Sequence, residues 1–171
     1  RSIIMSKSDD STREGPLAGI KVLEMSTVVA APTTARLMAI YGADVIKVEA
    51  PSGDAGREMG AAFCCTTVDY ANPCFDLHNA GKRFVVIDLK NESGHAVFME
   101  LMNKADVFIT NIRPQALTHL GINYDVVKEQ NPRLIYAHLS GYGQSGPDCD
   151  RPGFDNSAFW MRSGPVLEWL A

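Results

Sequence analysis

The sequence predicts an α/β fold, an open, doubly wound and mostly parallel sheet, on three observations. Short apolar runs of strand length alternate with segments of helical period from Leu17 to Leu139, turn formers stand between these runs, and no internal repeat interrupts them. The stretch from Leu17 to Glu49 already reads as a complete strand, turn, helix and strand. Such a unit is a right-handed parallel crossover.

Taken in order, Ile20, Val22, Leu23 and Met25 make the first strand, and Pro32 falls in the first turn of a helix, where a residue without an N–H is tolerated. Ala35, Leu37, Met38 and Tyr41 give that helix its apolar side, Gly42 stops it, and Val45, Ile46 and Val48 form the second strand. From Pro51 to Arg83 turn formers mix with aromatic residues and neither period is clear. Structureless stretches of that length are uncommon unless they are functional or carry short elements, which makes this one either a ligand-facing cover or an assembly surface. Arg83 to Leu89 reads as a buried strand, and Asn91 caps a helix running through Ala105, with Val97, Leu101 and Ala105 on one face. Val107 to Thr110 is the next strand. Pro114 opens a short helix that Gly121 closes, Tyr124 to Gln130 adds another, and Leu134 to Leu139 is the last strand, leading into Ser140–Pro147.

With 171 residues, 46% of them hydrophobic and 21% charged, the chain can bury one core. No apolar run approaches the roughly 20 residues of a membrane helix, and residues 1–16 are polar with both charge signs, unlike a secretory signal. A cytoplasmic protein with no membrane partner is expected. A net charge of -4 offers no general attraction to nucleic acid, so an anionic ligand must be held by local cations and backbone dipoles. Cys64, Cys65, Cys74 and Cys149 form no CxxC pair, and His78, His95, His119 and His138 have no helical spacing, so reduced thiols and no metal are expected. Met5 is a plausible initiator, and the apolar tail SGPVLEWLA stops inside what reads as a packed segment.

Ligands of open α/β sheets gather at the carboxyl ends of the strands. That rule selects three clusters: Val28 to Ala31, Asn111 to Arg113, and Ser140 to Gly143. The first turn is small and apolar and lacks the glycines of a dinucleotide fingerprint, yet a helix start there offers free N–H groups to an anion or a carbonyl. Arg113 can pair with phosphate or carboxylate through two N–H groups, and Asn111 has both a donor and an acceptor. Taken singly, Asn111 reads equally well as the cap of the helix near Pro114, Arg113 as a solvated charge, and Gly141 and Gly143 as turn residues.

The segments LAGIKVLEM with AAP, GADVIKVE, NAGKRFVVIDLK, ADVFITNIRP, LGINYDVVKEQNPRLIYAHLSGYGQSGP and PGFDNSAF occur in this order and closely resemble the N-terminal half of the family III coenzyme A transferases. PGFDNSAFWMRSG looks most like those acting on 2-hydroxy and aryl-substituted acids. The resemblance implies a Rossmann-like large domain beginning at residue 17 after a polar tail, an interlocked-ring homodimer, acyl-CoA and a carboxylic acid as substrates, and coenzyme A as the carried group. It implies CoA contacts at Val29 and Ala30, at Ile87, Asp88, Leu89 and Lys90, at Asn111, Ile112 and Arg113, and at Ser140, Gly141, Tyr142 and Gly143. Ala50 stands where some members place an arginine and His119 where some place a basic residue, so the resemblance does not carry phosphate contacts to these two positions.

Family members attack the thioester with an aspartate in a glycine-aspartate motif, which the resemblance places beyond Ala171. Asp155 and Glu168 read as solvated or capping carboxylates, so no residue of this chain is assigned as catalytic and the 171 residues alone are expected not to turn over. Two other readings stay open: a racemase acting beside an acyl-CoA carbonyl with a His and Asp pair, and a nucleotide-binding module without catalysis.

Overall fold

A computed structural model of the chain describes residues 14–65, 68, 71–162 and 164–170. The tail up to residue 13, with Met5, and the final Ala171 lie outside the described residues, as do the side chains of Val166, Leu167 and Leu170 in the apolar tail. The strands are β1 Lys21–Met25, β2 Asp44–Glu49, β3 Arg83–Val86, β4 Val107–Thr110 and β5 Ile135–His138. The helices are α1 Ala30–Ile40, α2 Pro73–Asn79, α3 Glu92–Lys104, α4 Pro114–His119, α5 Tyr124–Gln130 and α6 Pro165–Leu170. All five strands run parallel in the order β3-β2-β1-β4-β5. The chain winds outward through β1, β2 and β3, then crosses back to the other side of β1, so the topological switch point lies between β1 and β4.

Alternation along the strands splits the core in two. Leu23, Val48 and Phe108 point to the face covered by Phe98 and Met102 of α3, Leu117 of α4 and Val127 of α5. Val22, Val45, Val107 and Ile109 point to the other face, against Ala31 and Ala35 of α1. Small residues on α1 bring that helix close to the sheet, and Gly42, at φ 97°, ends it just beyond the C-cap Tyr41.

The structure corrects several sequence expectations. In α1 the buried residues are Ala31, Pro32 and Ala35, while Leu37 and Tyr41 are about half exposed. In α3 the buried residues are Phe98, Met99 and Met102, and Val97 faces out. Asn91 occupies the N-cap position but makes no side-chain cap; Ser93 Oγ donates to its Oδ1 instead. The segment from Arg83 forms only a four-residue strand of alternating burial, because β3 lies at a sheet edge rather than inside it. Ile87 to Lys90 therefore lie past the strand, in a tight turn where Asp88 Oδ1 accepts the Lys90 N–H. Gly94 permits that turn to press on α3, since a Cβ there would stand 2.1 Å from the Asp88 carbonyl oxygen. The featureless stretch before β3 carries 3₁₀ turns at Ala55–Arg57 and Met59–Phe63, followed by α2.

Candidate functional site

At the carboxyl end of β1 the chain enters a turn in which Val28 adopts φ 71°. A β-branched residue is strained there, and strain of this kind persists only where its surroundings enforce it. Asp54 supplies that enforcement. Its Oδ1 accepts the Val28 N–H at 3.1 Å and the Gly56 N–H at 2.8 Å. From the other side Asn111, just past β4, clasps the preceding residue: its Oδ1 accepts the Thr27 N–H at 2.9 Å, and its Nδ2 donates to the Thr27 carbonyl at 2.8 Å. The Asn111 amide is thus spent on the backbone of the first turn, not on capping α4, whose N-cap is the exposed Arg113. Val29 and Ala30 are left exposed at the tip. The N–H groups of Ala30 and Ala31 have no partner inside the helix they begin.

Asp54 is held in turn by charges buried beneath the turn. Glu24 and Lys47 are register partners on β1 and β2, both fully buried, and Lys47 Nζ lies 2.9 Å from Glu24 Oε1 and 2.8 Å from Asp54 Oδ2. Lys82 Nζ pairs with Glu24 Oε2 at 2.6 Å and donates to the Pro32 carbonyl and Asn79 Oδ1, each at 2.8 Å. Ser26 Oγ donates to Glu24, and Lys47 donates to the Ser26 carbonyl. Two carboxylates and two ammonium groups thus compensate one another in a space without water access. Burial lowers the Lys82 pKa to about 8, against the pull of Glu24, so the group is still charged at neutral pH. Ion clusters of this kind add little net stability over well-packed apolar residues. What this one provides is an acceptor fixed under the Val28 N–H, which no apolar side chain can supply.

A neighbouring clamp ties down the next loop. Glu49, at the end of β2, accepts from Arg57 through both oxygens, at 2.6 and 2.9 Å, and Oε2 also accepts the Asp54 N–H. The Arg57 guanidinium lies 3.8 Å from the ring centroid of Phe75 on α2. A mostly apolar cavity of about 260 Å³ opens beside the turn, lined by Val28, Val29, Gly56, Met59, Leu77 and His78, with the thiols of Cys65 and Cys74 completing its wall. Burial, with Arg36 and Lys82 nearby, pushes the His78 imidazole below its usual range, and Thr33 Oγ1 sits 2.9 Å from its Nδ1.

The third cluster joins through His138 at the end of β5. Its Nε2 donates to the Ile112 carbonyl at 2.8 Å, which leaves Nδ1 to accept from Gln144 at 3.1 Å. Ser140 Oγ accepts the Gly143 N–H, and Gly141 packs so closely on Gly153 that a Cβ would stand 2.8 Å from its Cα. Tyr142 is half-buried, with the Arg162 guanidinium 5.3 Å from its ring centroid. A wider concavity of about 640 Å³ lies beside this loop, bounded by His119 and Gln115 of α4 and by Gln144, Cys149 and Asp150.

Side chains of Asn111 and His138 therefore stitch the three sequence-selected clusters into one continuous rim. Ile87 to Lys90 lie at the same edge but at the end of β3, separated from the first turn by β2, and buried Ile87 belongs to the core. Asp155 begins an exposed π-type turn at Asp155–Met161, and Glu168 lies on α6. Sequence reasoning missed Glu24, Lys47, Asp54, Lys82, Glu49, Arg57 and His138. A signal was present, since Glu24 and Lys47 each interrupt an apolar strand of a parallel sheet, where an inward charge requires a buried partner.

Among the described residues no helix is long and apolar enough to cross a membrane, and no group of three or more His, Cys, Asp or Glu is placed to hold a metal ion. The family model for CoA-transferase family III matches residues 17–167. The (R)-2-hydroxy-4-methylpentanoate CoA-transferase of Clostridioides difficile is 43% identical over 148 residues, covering 86% of this chain and 37% of that protein. The cinnamoyl-CoA:phenyllactate CoA-transferase of Clostridium sporogenes is 41% identical over 147 residues, covering 86% of this chain and 36% of that protein. The chain thus spans little more than a third of the length of these relatives. A CAIB/BAIF family protein from Brucella suis superposes with a TM-score of 0.77 at 36% identity, over 84% of this chain and 38% of that one. With the family match extending across the whole described sheet, the chain belongs to CoA-transferase family III.

Proposed function

We propose that the strand-tip rim is the coenzyme A site of an acyl-CoA:carboxylate CoA-transferase acting on 2-hydroxy or aryl acids. The observation that carries this reading is the turn at Val28, strained, free of glycine and braced by Asp54 and Asn111, at the topological switch point of a family III chain. Its exposed backbone at Val29 and Ala30 can approach the CoA chain while the side chains contribute only apolar surface. Asn111, Ile112 and Arg113 and the loop from Ser140 to Gly143 extend the contact along the rim. Ile87 to Lys90, a strand away from the first turn, would contact the ligand only where it extends past β2. The relatives named above support the acid class.

The reaction itself needs a carboxylate nucleophile. Glu24 and Asp54, which lie under the turn, are consumed by ion pairs and are not free to attack. We take the nucleophile to be the aspartate that the family resemblance implies beyond Ala171, and the 171 residues alone to be inactive. That carboxylate attacks the acyl-CoA thioester to give a mixed anhydride and CoA thiolate. The thiolate returns to form an enzyme thioester with release of the donor acid, and the acceptor acid reverses the sequence. Backbone N–H groups at the rim would stabilise the oxyanions, and water must be kept out because both intermediates hydrolyse. Two copies in an interlocked homodimer would enclose the site.

The test uses the protein expressed from its complete gene, given an acyl-CoA and an isotopically labelled 2-hydroxy or aryl acid in deuterated water. Label appearing in the thioester, with no deuterium at the carbon beside it, is the expected result. Deuterium at that carbon without transfer would replace this reading by an isomerase.

A further inference from the structure

Two thiols in the cavity wall have no role in the chemistry above. Cys65 and Cys74 are both half-buried thiols outside any disulfide, and both line the cavity beside Val28 and Val29. They come from separately anchored segments. Cys65 follows the 3₁₀ turn at Met59–Phe63, with its N–H on the Gly60 carbonyl at 2.8 Å. Cys74 stands in the first turn of α2, which Asn72 fixes at both ends of its amide: Oδ1 accepts the Phe75 N–H, and Nδ2 donates to the Arg57 carbonyl. Across the cavity wall the two thiols are hydrogen-bond partners, and this contact, with burial, holds the Cys74 thiol above its usual pKa. Closing such a pair to a disulfide bond of about 2.05 Å moves the sulfurs by only on the order of 2 Å. The other cysteines are poorly placed to compete. Cys64 is exposed in a left-handed conformation outside the cavity, and Cys149 lies beside Asp150 in the other concavity.

We propose that Cys65 and Cys74 form a dithiol modification site, at which a small organic disulfide is reduced while the two cysteines close into a bridge across the cavity wall and switch the adjoining site off. The switching half of this statement rests on the transferase reading above. In one order, equivalent to the other by exchange of the two cysteines, the Cys65 thiolate attacks first, breaking the S–S bond of the small disulfide and expelling one thiolate. The mixed disulfide on Cys65 no longer holds the Cys74 proton. Cys74 then deprotonates to solvent and attacks Cys65 Sγ, and the second small thiolate leaves. One disulfide is formed and one is broken, and two electrons pass from the protein to the small molecule. The new bond draws Cys65 towards α2 and narrows the space in front of Val28 and Val29.

The probe is glutathione disulfide, added to the protein expressed from its complete gene and followed by peptide mass mapping and by transfer rate. Mapping is expected to find the Cys65–Cys74 bridge. The rate is expected to fall about tenfold or more, the scale set by small misplacements of substrate-positioning groups, and to recover with dithiothreitol. Cys74→Ser and Cys65→Ser, whatever their own rates, should keep them through the same treatment. A reaction that stops at a mixed disulfide, a bridge to Cys64 or Cys149, or a mapped bridge with an unchanged rate would overturn the proposal. Absence of transfer in the reduced protein counts against the functional reading and the switch built on it, whereas the mapped bridge decides the dithiol site by itself.

Discussion

The Asp54 carboxylate accepts the backbone N–H of Val28 at 3.1 Å while Val28 holds a left-handed φ of 71°. The same carboxylate reaches Lys47 through its other oxygen at 2.8 Å, so one buried group connects the charge cluster under the sheet edge to the shape of the exposed turn. Asp54→Asn can keep the acceptor for Val28 and removes the charge opposite Lys47. Breaking a buried ion pair from one side costs about 3–5 kcal/mol. Urea unfolding of the variant is expected to show a loss of that size. CoA affinity should fall further in Asp54→Ala, where the acceptor is lost as well.

Strain at Val28 makes the opposite prediction for that residue. Val28→Gly removes a half-buried side chain, yet it also relieves a left-handed conformation costing roughly 1–2 kcal/mol in a residue with a Cβ. The variant is expected within about 1 kcal/mol of the parent, the usual scale of glycine exchanges at such positions. A Val29→Gly control, at φ -121°, gains no such relief and should be less stable than Val28→Gly.

Asn111 makes two hydrogen bonds to the Thr27 backbone and spans the gap between β1 and β4. Asn111→Ala leaves a part-buried N–H and C=O without that partner, each costing about 1–3 kcal/mol. Asn111→Asp keeps the acceptor for the N–H but sets a carboxylate against the Thr27 carbonyl. Both variants should lose stability in thermal melts and bind CoA more weakly, whereas Arg113→Ala, an exposed position, should alter binding with little change in melting temperature.

Lys82 gives the fold a signature in alkaline solution. Its folded pKa of about 8 lies below the ordinary lysine value of 10.5, so between those limits the unfolded chain binds the extra proton and this group's contribution to stability rises with pH. The slope is at most about 1.4 kcal/mol per pH unit for one proton. The parent should therefore gain stability relative to Lys82→Gln between pH 8 and 10, and the difference should be flat below pH 7. A difference that falls through the window would contradict the assigned direction.

The strand and helix order was legible because its signals are local: Gly42 and Gly121 close helices, Pro114 opens one, and apolar runs mark all five strands. Burial was less legible. Leu37, Tyr41 and Val97 fit a helical stripe, but small residues on α1 and the large side chains of α3 decide which face meets the sheet. The three strand-end clusters followed from topology alone. Their connections did not, because Asn111 to Thr27, Asp54 to Val28 and His138 to Ile112 join residues from 26 to 84 positions apart. Glu24 and Lys47 were readable as charges out of place, yet their partners Asp54 and Lys82 lie in loops whose positions only the folded sheet defines.

The central claim is that coenzyme A lies on the backbone of the first turn. Hydrogen exchange on the protein expressed from its complete gene, with CoA and separately with NAD, tests it directly. Saturating CoA should slow exchange in peptides covering residues 26–33, 110–114 and 140–144 and leave the opposite strand ends at Lys21, Asp44 and Asp106 unchanged, with no effect of NAD. Unaltered exchange at residues 26–33 under CoA, or equal protection by NAD, would contradict the account.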